Sequence, residues 1–306
     1  MTTPQEEQAR RNEAVLRALG AQQPPRWNEH PAYPQQGEEL WVPPATPTSL
    51  VEGQPIEEGR PGSLPLAGWV PIDGALGFLL AIVLQFIALF VFIQVRGETI
   101  MGGLEALQDD PTFTLVAAPT LGLGFAAMAV LRIRLLRGLP WEWFGLHARR
   151  LLPAVGWGAL AGVAFLIVNF SLSLLFQLAG SIPDQSEQIV GPFKTATPMQ
   201  LALLGVFIVL IGPFLEELFF RGYALRAFRQ RLGPTWGVIL SAALFAAPHA
   251  FGITTGYVGL LVPIFCGGVI LALVYQRTGN LWSAVVAHCM NNLVGFIGLL
   301  VALQIK

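Results

Sequence analysis

Glu216 and Glu217 stand side by side in an apolar run that reads Gly212-Pro-Phe-Leu-Glu-Glu-Leu-Phe-Phe-Arg-Gly. Arg221 follows Glu217 by four residues, so on a helix the two share a face and can pair. Glu216 then points about 100° away and is left for other work. A charged side chain at the centre of a membrane span costs about 2.5–3.5 kcal/mol on insertion scales, so such residues usually mark function. The competing reading is a buried ion pair that only fixes helix packing. Four histidines are present; His30 and His147 fall in polar segments and read as surface residues. His249 ends Phe245-Ala-Ala-Pro-His, where Phe245 and His249 share a helical face and Pro248 should kink the helix and free the Leu244 carbonyl. His288 opens His-Cys-Met-Asn-Asn, with Asn292 on its face and Asn291 pointing elsewhere. Taken singly, each reads as an interhelical hydrogen bond worth about 0.6 kcal/mol. As a set they supply what amide hydrolysis needs: a base for water, an acid for the leaving amine and donors for an oxyanion. The same types could ligate a divalent ion such as zinc through Glu216, His249 and His288, whose bound water would be acidified. No His-Glu-x-x-His helix is present, and metal-free water activation is the favoured alternative.

These side chains must be positioned by membrane helices. The chain has 306 residues, of which 54% are hydrophobic and only 12% charged. Soluble domains carry about 25% charge, so the fold class is all-α, a polytopic transmembrane helix bundle. A net charge of −1 gives no sign of nucleic-acid binding. Cys266 and Cys289 lie in apolar runs and read as small packing residues. Residues 1–72 hold twelve of the 23 prolines, and so polar a segment cannot bury enough apolar surface to offset ordering entropy. They read as a disordered, Pro-rich tail with one short helix at Glu6–Leu19, followed by a transmembrane domain over 73–306. No signal peptide is expected, since the first apolar run starts near Gly74.

Seven spans are predicted: Gly74–Val95, Thr112–Ile133, Pro153–Leu178, Met199–Phe220, Trp236–Phe251, Tyr257–Tyr275 and Leu281–Leu303. Arg132, Arg134, Arg137, Arg149 and Arg150 follow the second; Arg226, Arg229 and Arg231 follow the fourth; Arg277 follows the sixth. The alternate loops are poor in Lys and Arg, which places the N-terminus and the basic loops in the cytoplasm. Trp69, Trp141, Trp143, Trp236 and Trp282 fall at the same edge, as interfacial anchors would.

The three patterns Glu216-Glu217-x-x-x-Arg221, Phe245-x-x-x-His249 and His288-x-x-x-Asn292, on successive spans in that order, resemble the CPBP family. That family joins CAAX-type prenyl endopeptidases of the Ras-converting kind with bacteriocin-processing and self-immunity membrane proteins. The resemblance covers the motif core, residues 199–295, and no core motif position departs from it. It implies an intramembrane endopeptidase whose helices surround a cavity open to the cytosol and to the lipid. By that resemblance Glu216 and His249 activate the attacking water, and His288 and Asn292 bind the scissile carbonyl and its oxyanion. Glu217 and Arg221 brace the site, supported by Phe245. The family is often labelled metalloprotease, and a metal-free Glu/His mechanism is also argued for it. The partners implied are the lipid bilayer and a peptide substrate, lipidated if the CAAX likeness extends that far. The alternatives are a non-catalytic binding or immunity scaffold, and a proton or solute carrier. The last is disfavoured because no internal repeat is visible.

Overall fold

The structure is a computed structural model that describes residues 71–97, 110–135, 141–146, 150–179, 190–250 and 256–304. The tail and the short helix expected in it lie outside the described residues, except that Pro71 and Ile72 already belong to the first helix. Among the described residues there are helices and turns and no strand. They run α1 (Pro71–Val95), α2 (Pro111–Val130), α3 (Leu151–Leu178), α4 (Pro198–Val206), α5 (Gly212–Phe219), α6 (Leu225–Ala246), α7 (Tyr257–Thr278) and α8 (Leu281–Gln304). Their caps follow from sequence. Asp110 caps α2 by accepting from the Thr112 N–H, and Pro111 fills the first turn, where no N–H is needed. Thr197 and Gln200 form a capping box at the start of α4.

Among the described residues, six segments are long and apolar enough to cross a membrane, against the seven expected. The difference lies in one place. The fourth and fifth expected spans fall within a single helical stretch of 53 residues, Pro198–Ala250. That stretch is not one regular helix. It contains π turns at Phe207–Ile211 and Phe220–Ala224, and it breaks at Gly233, whose backbone is non-helical (φ 83°, ψ 171°). This region of φ/ψ space is open essentially to glycine alone.

The helices pack α1 on α2, α2 on α5, α3 on α8 and α7, and α6 on α7. Small residues let backbones approach, as membrane bundles require. A Cβ on Gly158 of α3 would lie 2.7 Å from the Ser283 carbonyl of α8, and one on Gly267 of α7 would lie 1.9 Å from the Phe165 ring of α3. Aromatic rings fill the centre. Phe125 of α2 stacks on Phe219 at 5.1 Å between centroids, and Phe220 meets Phe245 of α6 edge-on at 5.2 Å. The outer faces of α1, α3 and α8 expose Phe86, Phe90, Leu160, Ile167, Phe170, Leu293 and Ile297, an apolar surface suited to lipid.

Two expectations about the basic edge are corrected. Arg226 is not a loop cation but is fully buried on α6, where its Nε donates to the Tyr275 hydroxyl at 2.9 Å and its Nη1 to the Trp143 carbonyl. Trp143 is likewise buried, in a 3-10 turn at Trp141–Phe144, and not an interfacial ring. Tyr275 in turn donates to the Phe144 carbonyl at 2.9 Å. Buried guanidinium and hydroxyl groups are held where acceptors exist, and here they tie the Trp141–Phe144 turn to α6 and α7. Trp236 is exposed, as expected of an anchor, and Trp69 lies outside the described residues.

Candidate active site

The polar side chains of α5, the π turn after it, and α8 converge. Glu217 is fully buried, and its Oε1 accepts from Arg221 Nη1 at 2.8 Å and from His288 Nδ1 at 2.9 Å. Arg221, also fully buried, donates through Nη2 to the Gly268 carbonyl of α7 at 3.1 Å. Its guanidinium lies over the Phe245 ring at 4.5 Å. The pairing expected from the four-residue spacing is therefore present. Its reach to His288 is a tertiary contact that the local spacing does not contain.

Glu216 points away from this pair, as its helical offset requires. Its Oε2 lies 4.0 Å from His288 Nε2, and its side chain keeps 26% of its exposure where that of Glu217 keeps none. One imidazole thus sits between two carboxylates, each facing a different ring nitrogen. A carboxylate only accepts, so Nδ1 of His288 carries the proton and donates the hydrogen bond to Glu217. In the neutral ring Nε2 then holds a lone pair; as imidazolium it holds a second N–H directed toward Glu216.

Pro248 stands in a 3-10 turn, Ala247–Ala250, that continues α6. The carbonyl engaged there is that of Phe245, facing His249 Nδ1 at 3.1 Å. A carbonyl too only accepts, so His249 donates from Nδ1 and its Nε2 is left open. The Phe245 ring contacts both histidines, 5.5 Å from the His249 ring and 5.4 Å, edge-on, from the His288 ring. His249 joins the group through this aromatic contact. Among the described residues it forms no hydrogen bond with Glu216, His288 or Asn292.

Asn292 lies one turn beyond His288 on α8, and its Nδ2 donates to the Ile208 carbonyl at 2.9 Å. That carbonyl is free for a local reason. In the π turn the Gly212 N–H reaches back to Phe207, and the next residue, Pro213, has no N–H to offer Ile208. Two further asparagines join this group: Asn169, for which no role was expected, and Asn291, which was expected to point elsewhere. Asn169 of α3 donates to Asn291 Oδ1 at 2.7 Å, and Asn291 donates to Asn292 Oδ1 at 3.2 Å. The signal was present: Asn169 is a lone carboxamide within the apolar run Leu166-Ile-Val-Asn-Phe.

Among the described residues no group of three or more His, Cys, Asp or Glu side chains is placed to hold a metal ion. As arranged, Glu216, His249 and His288 do not form such a group. His288 donates from Nδ1 to Glu217 and keeps Nε2 toward Glu216, and His249 meets this group through its contact with the Phe245 ring.

Residues 198–294 match the family described as Rce1-like, type II CAAX prenyl endopeptidase Rce1-like. The match spans all three motifs and begins at the first residue of α4. No curated protein and no solved structure matches the chain significantly.

Proposed function

We propose that the chain is a CAAX-type intramembrane endopeptidase that hydrolyses a peptide bond with water activated by protein side chains. The observation that carries this reading is the placement of Glu216 Oε2 and His288 Nε2 4.0 Å apart, inside the Rce1-like stretch. A water oxygen can sit within hydrogen-bond reach of two atoms at that spacing. Glu216 is the general base. It takes a proton from the water, whose oxygen attacks the scissile carbonyl carbon while the carbonyl π pair moves to oxygen. His249, with Nδ1 committed to the Phe245 carbonyl, turns its Nε2 lone pair to the same water.

The oxyanion is met by Nε2–H of the His288 imidazolium and by the second hydrogen of Asn292 Nδ2. When the tetrahedral centre collapses, the C–N bond breaks and the leaving amine takes its proton from Glu216. Glu217 and Arg221 hold the His288 ring in place and fix which nitrogen faces the reacting atoms. Removing one oxyanion donor of this kind typically lowers the rate by about 10²–10³. The substrate is a peptide presented from the bilayer, and a CAAX-type C-terminus bearing a prenyl group is the form the family match suggests.

The test uses the protein purified in detergent and a fluorogenic peptide library that includes prenylated CAAX-type peptides. Wild type should cleave at least one member, and Glu216→Ala and His288→Ala should fall to background while keeping the wild-type melting temperature. Equal activity in all three folded proteins would overturn the reading.

A further inference from the structure

Three carboxamides from two helices form an unbroken hydrogen-bonded chain that ends at the site. It runs from Asn169 of α3 to Asn291 and then Asn292 of α8, and from there to the Ile208 carbonyl. All three bonds point the same way. The direction is set at the Ile208 end, because a backbone carbonyl can only accept. Asn292 must therefore present its NH₂ to Ile208 and its Oδ1 to Asn291. Asn291 must then offer its NH₂ to Asn292 and its Oδ1 to Asn169. Flipping any one amide would set two oxygens or two NH₂ groups against each other. At the far end Asn169 Oδ1 is buried with no partner among the described residues, so nothing there favours the opposite direction.

The backbone brings these groups into register. Gly158 and Gly162 of α3 face α8, where an added Cβ would meet the Ser283 carbonyl at 2.7 Å and Met290 Sδ at 2.8 Å. Asn169 lies two turns further along the same stripe, at seven residues from Gly162. Close approach of the two helices thus delivers the Asn169 amide to Asn291.

We propose that Asn169 and Asn291 are positioning residues that hold and polarise the Asn292 carboxamide, an inference that rests on the endopeptidase reading above. An amide that accepts a hydrogen bond at its oxygen becomes a stronger donor at its nitrogen, by about 10–30% per bond along a chain. The chain also fixes the plane of the Asn292 amide. The hydrogen not given to Ile208 then stays aimed at the place where the oxyanion develops. A helix outside the Rce1-like match thereby becomes part of the catalytic apparatus.

The experiment measures kcat and KM for Asn169→Asp and Asn291→Asp, each alone and combined with Asn292→Ala. Aspartate keeps the shape and removes the donor. Each single change should lower kcat about tenfold with KM within about twofold, as for lost transition-state positioning. Neither should lower it further once Asn292 is gone. A similar fall in both backgrounds, or an unchanged kcat in the single variants, overturns the proposal. Asn169→Leu, which buries no unpaired charge, serves the same purpose if an aspartate variant does not fold. A second readout needs no activity. In the ¹⁵N-labelled protein the Asn292 side-chain amide resonances should move on Asn169→Leu and stay in place on Leu174→Ala, a lipid-facing change on the same helix. Unmoved resonances overturn the relay whatever the activity. Full activity of Glu216→Ala beside moved resonances would retire the protease reading and leave the carboxamide chain standing.

Discussion

Glu217 serves two partners through one oxygen, Oε1, and both partners are buried with it. Removing one member of such a group strands the other in a medium that solvates it poorly, at about 3–5 kcal/mol. Arg221→Leu should therefore lower the melting temperature sharply. The double variant Glu217→Gln with Arg221→Leu should recover much of that loss, because no uncompensated charge remains. It should still hydrolyse no peptide, since glutamine can no longer fix which His288 nitrogen faces Glu216. Thermal unfolding and the peptide assay check both halves; a double variant as active as wild type would reduce Glu217 to packing. The four-residue spacing of Glu217 and Arg221 made their pairing legible in advance, because it is a property of one helix. The bond from Glu217 to His288 spans 71 residues of sequence and arises only where α5 crosses α8. Asn292 shows the same limit. Its residue type marked it as a donor, but its partner at Ile208 exists because a π turn meets a proline.

At the scale of elements, the decisive feature is the break at Gly233. Its φ of 83° and ψ of 171° lie where a Cβ is strained, although nothing lies within 4 Å of the space a Cβ would occupy. The penalty for Gly233→Ala is therefore a backbone penalty, about 1–3 kcal/mol. Gly298 is the control. It is helical within α8, and it too has open space where a Cβ would go. Gly298→Ala should be neutral or should stabilise by up to about 1 kcal/mol. Melting temperatures that fall for the first and hold for the second are the expected result, and equal behaviour would mean that the break can be relaxed. Helix types and most ends were legible because runs such as Phe86–Phe92 are apolar from end to end and caps such as Asp110 and Thr197 are local. The depth at which Arg226 and Trp143 sit was not. Sequence counted them as surface groups, whereas the Tyr275 hydroxyl and two turn carbonyls create a buried place for them.

For the whole molecule the open quantity is how often the chain crosses the membrane, and helix length constrains the count. A continuous helix of 53 residues, the length of Pro198–Ala250, would measure about 80 Å. The hydrocarbon core is about 30 Å thick. One crossing cannot contain it. Arg229 and Arg231 stand just before Gly233, a composition that favours the cytoplasmic surface. A chain that leaves the core there, turns at Gly233 and re-enters through Trp236 crosses twice. On that path the six described stretches would make seven crossings, and an odd number puts the two ends of the bundle on opposite sides. Reporters active on only one side of the membrane, fused before Pro71 and after Gln304, should therefore give opposite signals, with the Pro71 end cytoplasmic. A third reporter inserted at Gly233 should match the Pro71 end. Identical signals at both ends would require an even count. That result would overturn the double crossing and, with it, the placement of Glu216 and His249 on two spans that descend from one cytoplasmic turn.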